Sequence, residues 1–174
     1  MSGLAIAMSA AGILAGLQAL SPVSRLRRRG SRSALPTVGL TPRTLLYHGT
    51  QAPEDFEYPD GPAWFTTSES VARRFVGWNR VAGEARPRLL VYRVAAPLLD
   101  LILIHGPRDM QAMMDHLAGV EGDLDHASPR ELAEEVCQSR YNGWHIRANY
   151  PDGGSDTLLC DPEDWLELVE EISL

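Results

Sequence analysis

Three short stretches of this chain carry residue types that could do chemistry. His48 ends an apolar, strand-like run and is followed at once by Gly49. A strand would hold the imidazole there, while a backbone without Cβ lets a ligand come close. Trp64 and Phe65 are neighbours in a second strand-like run, so alternation turns one ring away from whatever the other buries. Asp156 opens a late apolar run after the loop Pro151-Asp152-Gly153-Gly154-Ser155, a position from which a carboxylate can face a cleft. Each stretch also has a purely structural account: a satisfied histidine, two core aromatics and an aspartate that caps a strand. Familiar signatures are missing. There is no HExxH, GxSxG, GxGxxG or EF-hand loop. His105, His116, His126 and His145 stand singly and read as surface or structural residues, not as metal ligands. All 16 basic residues are arginine, which excludes a Walker lysine, a kinase-type lysine and a pyridoxal phosphate Schiff base.

The elements that must position these residues are short. Thr44 to His48 is an apolar strand ending in Gly49-Thr50, and Ala63 to Thr67 is a second strand. Thr66 and Glu69 have capping-box spacing, and Val71, Ala72, Phe75 and Val76 recur at helical intervals, which predicts a helix to about Asn79. Arg88 to Ala96 is a strand stopped by Pro97, and Leu98 to Ile104 is a further strand or a buried turn. Pro107 to Arg140 is helical, with Met110, Met113, Met114 and Leu117 on one core face, Leu132, Val136 and Cys137 on another, and a turn between Gly119 and Ser128. Gly143 to Ile146 and Asp156 to Cys160 read as strands. Asp161 and Pro162 then open a closing helix with a stripe of Trp165, Leu168, Val169 and Ile172. Short strands with interspersed helices predict an α+β fold.

The 174 residues fit one domain with a terminal extension, and the charge is unevenly placed. Six arginines and no acid precede Glu54, whereas ten arginines and all 23 acids follow, a balance of −13. So acidic a body disfavours nucleic-acid binding, because it offers no cationic surface to release counterions. Residues 1–21 form an apolar head: positions 3–20 hold only Ser9 and Gln18 as polar interruptions, with Gly12 and Gly16 in GxxxG spacing and the Arg25 to Arg32 cluster behind. The reading is a membrane anchor that leaves the domain on the cytosolic side; a mitochondrial targeting segment, a secretory signal and a helix packed on the domain are the alternatives. Residues 22–43, with their prolines, glycines and serines, read as a linker, and 44–174 as the folded domain. Cys137 and Cys160 lie in no metal-type spacing and read as two intracellular thiols, with a single disulfide the alternative.

The order Tyr47-His48-Gly49-Thr50, then Trp64-Phe65-Thr66 leading into Ser70-Val71-Ala72-Arg73-Arg74-Phe75, then Asp156-Thr157-Leu158-Leu159-Cys160-Asp161 resembles the ADP-ribosyltransferase fold of the diphtheria-toxin and poly-ADP-ribose-polymerase type. It looks most like the small ADP-ribosyltransferase-like domains of viral, phage and polyvalent proteins. The resemblance runs from Leu45 to Leu174 and implies a split β-sheet with flanking helices. It implies NAD as substrate: His48 on the adenosine ribose, the Gly49 backbone on the nicotinamide carboxamide, Thr50 supporting that turn, and nicotinamide between Trp64 and Phe75. Asp156 stands where the family has its catalytic glutamate, on the nicotinamide ribose, stabilising the positive charge that develops as the glycosidic bond breaks.

Three departures bear on activity. Aspartate is one methylene shorter than glutamate, Trp64 has no hydroxyl where the family has tyrosine, and Ala72 falls where the polymerases have serine. Mono-ADP-ribosyl transfer to a protein acceptor, or NAD hydrolysis, fits better than polymer elongation. A non-catalytic NAD or ADP-ribose binder of the same fold is the second hypothesis. A relative of the RNA 2′-phosphotransferases, which share the fold, is the third, with Arg93 and Arg147 as the arginines that such chemistry needs.

Overall fold

A computed structural model describes residues 34–51, 57–59, 61–76, 86–121 and 128–174. The apolar head, the first half of the linker, and His126 lie outside the described residues. The described chain is a mixed α+β fold built on one curled sheet of eight strands, with four helices. In chain order the elements are β1 (Thr37–Leu40), β2 (Leu45–Thr50), β3 (Ala63–Thr66), α1 (Glu69–Val76), β4 (Arg88–Val94), β5 (Leu98–Ile104), α2 (Pro107–Glu121), α3 (Pro129–Cys137), β6 (Gly143–Ile146), β7 (Asp156–Leu159), α4 (Pro162–Trp165) and β8 (Leu166–Ser173). Across the sheet the order is β1-β5-β6-β7-β3-β2-β4-β8. Only β5 and β6 run parallel, and a parallel pair needs a long crossover, which α2 and α3 supply.

The sheet is stitched unevenly. β2 pairs with β4 along its whole length, from Leu45↔Arg93 to Thr50↔Arg88, and β3 pairs with β7 from Ala63↔Leu159 to Thr66↔Asp156. Between β2 and β3 the one register pair is Tyr47↔Thr66. The strands part there, and the sheet divides into a β2-β4-β8 side and a β3-β7-β6-β5-β1 side.

Two apolar clusters hold this arrangement. α2 and α3 lay Met110, Met113, Leu117, Leu132 and Val136 on Ile102, Ile104, Trp144 and Leu158, as their helical spacing predicts. On the opposite face Leu46, Phe65, Leu90, Tyr92, Leu101 and Leu159 pack together across the divided sheet. Cys137 at the end of α3 and Cys160 just past β7 are disulfide-bonded, with Cα atoms 5.3 Å apart. The expected pair of thiols is therefore one covalent clamp across the first cluster.

Three local expectations are corrected and one alternative is decided. The folded unit starts before Thr44, because Thr37–Leu40 is an edge strand on β5 that turns Val38 and Leu40 toward the second cluster. Leu98 to Ile104 is a strand. The closing helix lasts only from Pro162 to Trp165; Leu166–Ser173 is a strand that covers the outer edge of β4. Leu166 and Leu168 are spaced for a strand, a register shift turns Ile172 to the opposite face, across from Leu89, and the open edge of β4 supplies backbone partners that a surface helix would not use. Finally, Thr66 does not cap α1. It ends β3, its hydroxyl donates to the Ser155 carbonyl, and it accepts the Ser68 amide. Among the described residues, Ser128 with Glu131 forms a capping box at the start of α3.

Candidate functional site

The three motif-bearing strands are adjacent in the sheet: β2 with His48, β3 with Trp64, and β7 with Asp156. Register decides which side chains share a face. Tyr47 stands opposite Thr66, and Thr66 opposite Asp156, so these three, with Trp64 and Gly49, point to the face that carries the helices. His48 and Phe65 point to the other face, where their rings lie 5.5 Å apart. A ligand touching both His48 and Asp156 must therefore reach across the place where β2 and β3 part.

At that place the imidazole bridges the gap. Nδ1 of His48 lies 2.8 Å from the Trp64 carbonyl, a backbone oxygen facing the parted strand. Burial lowers the imidazole pKa, and the bond to Trp64 only partly opposes this. The ring is thus neutral at pH 7. A carbonyl only accepts, so the proton sits on Nδ1 and Nε2 is an acceptor. Next to it, Gly49 is required by packing. A Cβ there would stand 2.3 Å from the Ala72 carbonyl and 2.5 Å from Val76 Cγ2, so the missing Cβ lets α1 lie directly on β2. Ala72 is buried against that contact. Thr50 ends β2 opposite Arg88, and Arg88 forms a 2.8 Å ion pair with Glu171 of β8.

Trp64 packs toward the helical cluster, edge-on to Trp144 with centroids 5.4 Å apart. Phe75 is half-buried on α1. The two rings sit on different elements, β3 and α1.

Asp156 is the most heavily built part of the site. It is buried, and its Oδ2 accepts from Tyr150 Oη at 2.6 Å and from Asn149 Nδ2 at 2.8 Å. Burial raises its pKa, while the donors Tyr150 and Asn149, and the Thr66 hydroxyl beside it, pull the other way. Tyr150 is raised in turn, by burial first and then by the carboxylate it serves. Both donors come from the loop 147–155 between β6 and β7, and neither was singled out in the sequence. The signal was weak: an Asn-Tyr pair before a Pro-Asp-Gly turn reads as turn chemistry, and only the hairpin return brings it onto Asp156.

That loop is tied to the β3–α1 turn by several bonds. Thr67 N donates to the Ser155 carbonyl at 2.9 Å, and Ser155 N to Thr67 Oγ1 at 2.9 Å. At its tip Asp152 accepts from Ser68 Oγ at 2.5 Å, Ser70 Oγ at 3.4 Å and the Gly154 amide at 3.0 Å. Gly154 is hemmed in, since a Cβ would meet Ser68 Cβ at 2.7 Å.

The remaining candidates lie elsewhere. His145 is buried on β6, bonded to Thr157 Oγ1 at 2.9 Å, and pushed down to about 4 by burial and by Arg147. His116 packs near Tyr141 and His105 is exposed. Arg93 is paired with Glu167 at 2.7 Å on the outer side of β4, and Arg147 is exposed. Among the described residues no three His, Cys, Asp or Glu side chains gather as a metal site, and no helix is long and apolar enough to cross a membrane.

The fold and the site define an α+β protein with a buried, loop-held carboxylate and a bridging histidine on adjacent strands of a divided sheet. No protein-family model matches the chain, and no curated protein or solved structure matches it.

Proposed function

We propose that this protein is an NAD-dependent mono-ADP-ribosyltransferase of the ADP-ribosyltransferase-like fold. The observation that carries the reading is the adjacency of β2, β3 and β7, with the His48 imidazole fixed to the Trp64 carbonyl across the gap and Asp156 one strand beyond. The motifs that suggested the family are far apart in sequence, yet they meet in one region of the sheet.

In this reading Nε2 of His48 accepts a hydroxyl of the adenosine ribose, and the Gly49 backbone binds the nicotinamide carboxamide, supported by Thr50. Trp64 and Phe75 flank the nicotinamide ring. The bond from ribose C1′ to the pyridinium nitrogen breaks, and nicotinamide leaves with the bonding electron pair. Asp156 stabilises the cation that develops on the ribose. A nucleophilic side chain of a protein acceptor, or water, then forms the new bond to C1′ and gives up its proton. Insertion of residues 3–20 into a membrane would hold the domain close to its acceptors.

A non-catalytic NAD or ADP-ribose binder is the second reading. It is favoured by the shorter aspartate and by the two donors that already occupy Asp156 Oδ2. Nicotinamide release from NAD by the full chain separates the two. Release by the wild type, abolished in His48→Ala and Asp156→Asn, is the expected result. NAD binding without release establishes the binder, and absence of both removes NAD from consideration.

A further inference from the structure

We propose that Tyr150 is a positioning residue for Asp156: with Asn149 it holds one carboxylate oxygen, Oδ2, and so fixes the orientation of the carboxylate. The catalytic consequence rests on the NAD reading above; the positioning does not.

The geometry is specific. Two donors from successive residues converge on the same oxygen at 2.6 and 2.8 Å, and neither bonds Oδ1. A carboxylate gripped at one oxygen keeps its rotation fixed. Fixing it matters more here than for a glutamate, because a shorter side chain has less freedom to correct its own placement. The grip is itself anchored. Tyr150 N bonds the Gly154 carbonyl at 3.2 Å, Gly153 N bonds the Tyr150 carbonyl at 2.9 Å, and Ala148 N bonds Ser155 Oγ at 3.1 Å. Asp152 then fastens the loop tip to Ser68 at the start of α1. A chain of contacts thus runs from α1 through the loop to the carboxylate. Arg74 of α1 is close enough to Tyr150 to favour its ionised form slightly.

A structural tyrosine that merely fills space would keep its effect when replaced by phenylalanine; a positioning one would not. The experiment uses the full chain as wild type, Tyr150→Phe and Asn149→Ala, each shown to be folded by its thermal melt. It reads the carboxyl carbon resonance of Asp156 through a pH titration by NMR, together with kcat and KM for nicotinamide release from NAD. Loss of the Tyr150 donor is expected to move the Asp156 titration to higher pH. It is also expected to lower kcat about tenfold to a hundredfold, the order that misplacement of a catalytic group costs, with KM within about twofold. Asn149→Ala moves both readouts in the same direction and by less. An unchanged titration in Tyr150→Phe overturns the proposal, and so does a raised KM with unchanged kcat, which would make Tyr150 a ligand contact. If the wild type releases no nicotinamide, the NAD reading fails by itself. The titration then decides the positioning: a shift upholds it, and no shift ends it.

Discussion

The tip and the root of the loop 147–155 hold two aspartates in opposite ways. Asp152 at the tip is exposed, and its bonds to Ser68, Gly154 and Ser70 lower its pKa. Asp156 at the root also accepts strong hydrogen bonds, yet burial outweighs them and its pKa is raised. Donors alone therefore do not set a carboxylate's state; the water removed around it decides the sign. The tip spends its carboxylate on structure, joining the loop to α1. The root keeps a carboxylate whose charge is costly to hold, a pattern that marks functional sites more often than structural ones.

The comparison is broken most sharply at the root. Asp156→Asn is expected to reduce nicotinamide release by about a hundredfold or more, while its melting temperature at pH 7 is equal to or above that of the wild type. A fall in both would make Asp156 a structural residue like Asp152. The far end of the same strand gives the next largest effect. Replacing Cys137 and Cys160 together by serine frees a loop of 23 residues' separation, expected to cost about 3 kcal/mol of stability, read by urea unfolding. A thiol assay on the untreated wild type is expected to find no reactive cysteine until the protein is reduced and unfolded. Disulfides persist chiefly in oxidising compartments, so the thiol state of protein drawn from its native setting tests the intracellular expectation.

At the tip, Ser68→Ala removes the short bond to Asp152 and is expected to lower the melting temperature by about 3 °C, with nicotinamide release reduced less than in Tyr150→Phe. The smallest effect is in the pH profile, where the two aspartates have opposite signs. Asp156, raised in the folded state, favours folding at low pH; that contribution fades as pH climbs from the ordinary value of 3.8 through its folded value. Asp152, lowered in the folded state, contributes above the ordinary value of 3.8, and the contribution is lost as pH falls through its folded value. Unfolding curves across this range are expected to flatten on the alkaline side in Asp156→Asn and on the acid side in Asp152→Asn.

The sequence by itself determined the local pieces whose side chains alternate or recur over enough residues to be read: β2, β3, β4, β6 and β7, and the apolar faces of α2 and α3. It also marked His48, Trp64 and Asp156, through residue type and through order along the chain. It could not show that Gly49 owes its missing side chain to the Ala72 carbonyl and Val76 of α1, because that contact is between elements. Pro36, Gly39 and Pro42 concealed β1, whose edge position asks for few ladder bonds. Trp165, Leu168 and Ile172 suit a helix as well as a bulged strand, and the open edge of β4 chose between them. Only the tertiary structure assigned His48 and Asp156 to opposite faces, paired Cys137 with Cys160, and folded Asn149 and Tyr150 back onto the carboxylate. Periodicity is a property of neighbours along the chain, whereas register, burial and the return of a hairpin loop are set by partners far away in sequence.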